Sequence, residues 1–238
     1  MFEADNIKFI NRRGSSLFLN STLGARAILI NITVNEYFGN FLEATSNSSL
    51  LLNNSQFYNL DVSQSTPFIK ISQQYIVNFP NLLNHVLFQN VQVKHSLFLL
   101  EKTLVSTGII QFLNITMRNL KLKPIVKKSS LDLEYENEWV GGVCLLGRDS
   151  QFTLKDSLFE NIYSHCIGLK STQITLSNST FTNAGLEDQP MKITDGSISE
   201  RSGVSWLSLQ REIPYFKNYV ESCKFIENKI IPKYGGVR

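Results

Sequence analysis

Apolar and polar positions along this chain repeat with a fixed but uneven spacing. One large apolar residue can be taken as the anchor of each unit: Phe9, Val34, Phe57, Phe88, Met117, Phe159, Phe181 and Phe225. Five positions before it stand Leu29, Leu52, Leu83, Phe112, Leu154, Leu176 and Val220. Three before it the residue is polar: Asn6, Asn31, Asn54, His85, Asn114, Asp156, Asn178 or Ser222. Two before it the residue is small or apolar, as in Ile32, Ser55, Val86 or Cys223. Two after it comes a second polar file: Asn11, Glu36, Asn59, Asn90, Asn119, Asn161, Asn183 and Glu227. Apolar residues return at the next position, from Tyr37 to Ala184, with Arg12 and Asn228 as exceptions. Asn228 reads as the turn residue of its unit, displaced by one.

Steps between anchors are 25, 23, 31, 29, 42, 22 and 44 residues. Repeats of this length are supersecondary units that bury their apolar face only by stacking on neighbours. A further apolar run precedes each anchor after the first, for example Phe68–Ile71, Val143–Leu146 and Cys166–Leu169. The spacing predicts three short strands per unit, hence three parallel sheets. Asparagine suits the bends because it tolerates the left-handed backbone. Stacked amides can bond from unit to unit. The expected amide ladder is Asn6, Asn31, Asn54, Asn114 and Asn178. The fold class is all-β: a parallel β-solenoid of about eight coils. It forms one domain over residues 1–238 with loop insertions at about 121–142 and 185–203.

The N-s-x-F-x-N element resembles the right-handed parallel β-helix, or pectin lyase-like, superfamily. Within it, the repeats look like those of adhesin-type and polymorphic outer-membrane proteins. The abundance of Asn, Phe, Ile and Lys resembles large repeat proteins of protists. The resemblance covers nearly the whole chain and implies architecture, not chemistry, because this fold carries lyases, hydrolases, adhesins and filaments. In the enzymes of this superfamily, loops placed like the two insertions wall a substrate groove. A leucine-rich repeat fits less well: its Asn follows the strand Leu by three positions, and here the interval is two.

Composition adds bounds. The net charge of +3 gives no reason to expect a nucleic-acid partner. No run of 18 or more apolar residues is present, so no helix is expected to cross a membrane. The first residues lack the features of a signal peptide and already match the repeat. The end of the chain, Tyr234–Val237, echoes Val140–Val143. An excerpt of a longer chain with open coils at both ends is therefore expected.

Candidate chemistry is sparse. The enzyme motifs of the pectin lyase-like class are missing, and no cofactor is expected. His85, His95 and His165 lack metal-ligand spacing. A carboxylate pair for glycoside hydrolysis would have to come from loops, such as Glu136 with Glu187 or Asp188. The charges of the first insertion, Lys121 to Lys128 against Asp132 to Glu138, read first as a solvated loop and second as a contact site for a partner or neighbouring subunit. Trp139, Trp206, Tyr215 and Tyr234 read first as cover for core edges and second as sugar platforms. Sequons stand at Asn20, Asn31, Asn47, Asn53, Asn114 and Asn178. Asn20, Asn47 and Asn53 are the expected glycan sites. Asn31, Asn114 and Asn178 rank below them, because a turn amide facing inward cannot carry a sugar. Cys144 and Cys166 each lie 15 residues before their anchors. They are expected to stack as neighbours within disulfide range, with reduced core thiols preferred to a bond. Cys223 reads as core.

The functional expectation is a non-catalytic structural or adhesive segment of a secreted or cell-surface protein. Its partners would be copies of itself, neighbouring segments of the same chain, or glycans. The alternative is a carbohydrate-binding or polysaccharide-degrading enzyme.

Overall fold

The computed structural model describes residues 1–12, 18–21, 25–45, 48–62, 67–73, 81–93, 96–102, 110–122, 144–148, 151–163, 166–170, 173–184, 191–192, 198–199, 205–208 and 219–228. All regular structure among them is β. Two parallel sheets carry it. One has 13 strands, and its main path runs Phe2–Asp5, Arg26–Ile30, Ser49–Val62, Asn81–Val93, Ile110–Leu122, Gln151–Lys155, Gln173–Ser177, Tyr219–Glu221. The other has seven, ordered Leu19–Ser21, Leu42–Thr45, Ile69–Gln73, Phe98–Lys102, Leu145–Arg148, Ile167–Lys170, Ser205–Ser208. The one antiparallel pair among the described strands, Met191–Lys192 with Ile198–Ser199, lies in the second insertion.

Register follows the repeat. Each anchor pairs with the next: Phe9 with Val34, Val34 with Phe57, Phe57 with Phe88, Phe88 with Met117, Met117 with Phe159, Phe159 with Phe181, and Phe181 with Phe225. The residues five positions earlier pair in the same way, from Leu29 with Leu52 to Leu176 with Val220. A slip of one residue would turn every apolar side chain to the wrong face, so a buried face fixes the register firmly.

Why the spacing is uneven becomes clear in Ser49–Val62. Its inward residues are Leu50, Leu52, Ser55, Phe57, Leu60 and Val62, all buried. The intervals alternate between three and two residues. Each interval of three contains a bend residue in the left-handed region, Asn54 (φ 48°) or Asn59 (φ 52°). That residue turns outward beside its outward neighbour and turns the chain without breaking the ladder. A one-residue extension of this kind bends a strand while pairing continues, much as a β-bulge does.

Three separate sheets are the sequence expectation, and here the structure differs. In each unit the strand before the first bend and the strand through the anchor belong to the same 13-stranded sheet. In three units they are continuous strands of 14, 13 and 13 residues. The reason is the single-residue bend: it redirects the chain without lifting enough backbone off the ladder to divide the sheet.

The core is a set of side-chain columns running across the strands. Phe57 stacks on Phe88 with ring centroids 4.8 Å apart and planes 9° from parallel. Phe159 on Phe181 (4.7 Å, 7°) and Phe181 on Phe225 (5.4 Å, 7°) continue the column beyond Met117. Behind the second sheet, Phe18, Phe41 and Phe68 form another stack at 5.0 and 5.1 Å. Isolated aromatic pairs favour offset or edge-to-face contacts. Here strand spacing of roughly 4.8 Å imposes parallel rings, and edge-on contacts such as Phe41 with Phe57 (77°) link the two columns.

Candidate functional site

The most ordered polar features are the two files of bend residues. All eight residues of the first file have φ between 47° and 54°, and Glu36, Asn59, Asn90, Asn119, Asn161, Asn183 and Glu227 of the second lie between 52° and 56°. A left-handed residue other than glycine costs roughly 1–2 kcal/mol, least for Asn and Asp. That cost explains why asparagine dominates both files.

The second file is a continuous amide ladder. Asn183 Nδ2 donates to Asn161 Oδ1 (3.2 Å), Asn161 to Asn119 (3.2 Å), Asn119 to Asn90 (3.0 Å), Asn90 to Asn59 (3.1 Å) and Asn59 to Asn35 (2.9 Å). Every intermediate amide both donates and accepts. At its foot the ladder reaches Asn35 rather than the bend residue Glu36.

The first file is interrupted, which corrects the expected single ladder. Asn54 Nδ2 donates to Asn31 Oδ1 (2.5 Å), and Asn31 Nδ2 donates to Asp5 Oδ1 (2.9 Å). At His85 the amide path leaves the file. Asn114 donates to Asn84 (3.0 Å), and Asn84 to Asn53 (3.2 Å), one position earlier in each unit. Asn6 and Asn178 occupy their bend positions, and both are exposed.

Behind the first file lies a buried hydroxyl column that sequence reasoning passed over as small residues. Ser55 Oγ accepts from the Ile32 N–H (3.1 Å) and donates to the Asn53 carbonyl (2.8 Å). Ser157 Oγ accepts from the Ile115 N–H (3.1 Å) and donates to the Lys155 carbonyl (2.8 Å). Ser179 repeats this with the Ser157 N–H (3.2 Å) and the Ser177 carbonyl (2.9 Å). A bend takes one N–H out of line with the ladder, and a buried N–H without a partner costs about 1–3 kcal/mol. The serine of the next unit supplies that partner. The sequence signal was available: a serine two positions before the anchor, at a site that is otherwise apolar.

Cys144 and Cys166 extend the column begun by Phe18, Phe41 and Phe68 in the second sheet. Both are fully buried free thiols, and the Cys166 sulfur lies 3.2 Å from that of Cys144. Burial, then the hydrogen bond and charge of Cys144, hold the Cys166 thiol well above its ordinary value of 9.0. Cys223, half-buried in the serine column, has its sulfur 3.3 Å from the Glu221 carbonyl. This is the same two-back contact that the serines make.

The turn file faces solvent, which corrects the reason for ranking its sequons low. Asn178 is exposed, and Asn31 and Asn114 are half-exposed with their Nδ2 groups donating to Asp5 and Asn84. Asn20 is exposed in Leu19–Ser21. Asn53 is half-buried and accepts from Asn84. Asn47 lies outside the described residues, as do His95, His165, Glu136, Glu187, Asp188, Trp139, Tyr215 and Tyr234. Trp206 lies in strand Ser205–Ser208.

Asn228 is not the displaced turn residue. Glu227 takes the bend (φ 53°). Asn228 instead reaches back, accepting from the Ala184 N–H (2.7 Å) and donating to the Phe181 carbonyl (2.9 Å). Arg118 pairs with Glu160 at 2.9 Å, and Lys121 lies over the Tyr163 ring at 4.3 Å. Among the described residues no group of three or more His, Cys, Asp or Glu could hold a metal ion. No helix among them is long and apolar enough to cross a membrane.

No family model matches this chain, and no curated protein and no solved structure matches it either.

Proposed function

We propose that this chain is a right-handed parallel β-helix of about eight coils, serving as a non-catalytic structural or adhesive segment of a secreted or cell-surface protein. The observation that carries this reading is the unbroken file of amides from Asn183 to Asn35, with the phenylalanine stacks beneath it. Side chains of one type, bonded from unit to unit, stiffen the stack along one axis. Polar residues of the repeat are thus engaged in holding neighbours together. At about 4.8 Å per strand, eight coils rise on the order of 35–40 Å.

Self-association belongs to the proposal. Val220 and Phe225 stand in core columns yet are 59% and 52% exposed on the last described strands of their paths. Among the described strands neither has a partner on its outer side, and an open edge accepts further strands. Glycans, in a secreted setting, would sit first at Asn20.

Small-angle scattering of the purified chain, paired with sedimentation, tests the reading. An elongated particle that associates with rising concentration is the expected result. A compact, concentration-independent particle would remove the structural role. Turnover of any member of a panel of acidic polysaccharides would replace it with the enzymatic reading. Expression through a secretory pathway should add an enzymatically removable glycan, lost in Asn20→Gln.

A further inference from the structure

We propose that Cys144 and Cys166 form a covalent staple between adjacent units, closed by two-electron exchange with a low-molecular-weight disulfide. This inference does not depend on the surface-protein reading. It rests on the placement of the pair.

Leu145 pairs with Ile167 in parallel register, so the residues before them, Cys144 and Cys166, occupy equivalent places on neighbouring strands. The backbone holds them there: the Cys144 N–H donates to the Cys166 carbonyl (3.0 Å), and the Phe98 N–H donates to the Cys144 carbonyl (3.0 Å). Adjacent strands lie about 4.8 Å apart, inside the range of roughly 4.4–6.8 Å that disulfides span between Cα atoms. Both side chains enter the same buried column, with their sulfurs 3.2 Å apart. Closing the bond needs side-chain rotation and no change of register. The third cysteine cannot compete. Cys223 lies between two strands of the other sheet, Tyr219–Glu221 and Lys224–Ile226.

The chemistry balances. One thiol loses its proton, and the thiolate attacks a sulfur of the external disulfide, releasing one small thiol and leaving a mixed disulfide. The second cysteine, deprotonated in turn, attacks the protein-bound sulfur and releases the other small thiol. Two protein thiols and one disulfide become one protein disulfide and two small thiols. Two electrons and two protons pass to the reagent. Burial that keeps the Cys166 thiol protonated also keeps reagent out. The folded chain therefore reacts through local opening of the strands beside the pair, and faster at higher pH.

The consequence is local. In a stack where each unit contacts mainly its neighbours, opening can occur at any one interface. A bond spanning 22 residues closes one such interface.

The test uses the full chain carrying Cys223→Ser, treated with oxidised glutathione from pH 7 to 9, with and without sub-denaturing urea. Intact mass, peptide mapping and amide exchange are read. The expected product has lost two hydrogens and carries a Cys144–Cys166 crosslink. Its exchange should slow about tenfold or more at Leu145–Arg148 and Ile167–Lys170, and its melting midpoint should rise by about 5 °C or more. Dithiothreitol should reverse both changes. Glutathione adducts without the crosslink, intermolecular dimers, or no reaction even in urea would overturn the proposal. So would a crosslinked product that melts lower than the reduced chain.

Discussion

The two bend files share one backbone geometry but handle their polar atoms differently. In the second, the Asn side chains bond to one another, from Asn183 down to Asn35. In the first, the amide path keeps to the file from Asn54 to Asp5 and leaves it at His85, while the buried hydroxyls of Ser55, Ser157 and Ser179 serve the backbone behind it. The outer arrangement keeps its hydrogen bonds at the solvent boundary, where each is worth little by itself. The inner arrangement concerns buried backbone, where a missing partner is expensive. Similar bends can thus be maintained by a long chain of weak bonds or by a few buried ones.

The largest predicted effect tests the geometry common to both. Asn119→Val places a β-branched residue at φ 56° and cuts the ladder at its centre. Strain of about 1–2 kcal/mol, plus two lost amide bonds, should lower stability by about 3 kcal/mol in urea unfolding. Asn119→Gly keeps the bend but loses the amides and raises the entropy of the unfolded chain, so about 1.5 kcal/mol should go. Equal losses in the two variants would mean that the backbone conformation contributes nothing.

Next comes the inner arrangement. Ser157→Ala leaves the Ile115 N–H buried without its partner. The expected loss is about 2 kcal/mol. Ser157→Cys retains a weak acceptor and should recover part of it. A Ser157→Ala loss no greater than that of Asn119→Gly would erase the contrast between buried and exposed bonds.

Much of this is legible in the sequence. The intervals fixed by Phe57, Phe88 and Phe181 gave the register, because one buried column leaves only one alignment of the strands. Asparagine at ten of the fifteen non-glycine residues with positive φ marked the left-handed positions. Less legible was what the amides bond to. Whether Asn114 reaches Asn84 or the bend residue of the next unit depends on side-chain torsions and on His85, and neither leaves a trace in spacing. The inward reading of the turn file failed for a related reason. A bend residue looks like part of the alternation, yet it adds an outward position, so Asn31 and Asn178 face solvent. Asn228 misled because it is the right residue type one place from the bend, whereas its amide was needed on the strand edge at Phe181–Ala184.

The smallest predicted effect sharpens the comparison by extending the outer file. Glu36 holds a bend with φ 56°, is exposed, and sits where the units above it carry Asn59, Asn90 and Asn119. A glutamate gains nothing from the left-handed region, whereas asparagine is among the residues least penalised there. Glu36→Asn should therefore stabilise the chain by about 0.5–1 kcal/mol. Glu36→Gly relieves the same strain but offers no amide, and it raises the entropy of the unfolded chain. If the file stabilises through its amides as well as its bends, the asparagine variant will exceed the glycine variant in urea midpoint. Equal midpoints would reduce the gain at position 36 to a conformational preference.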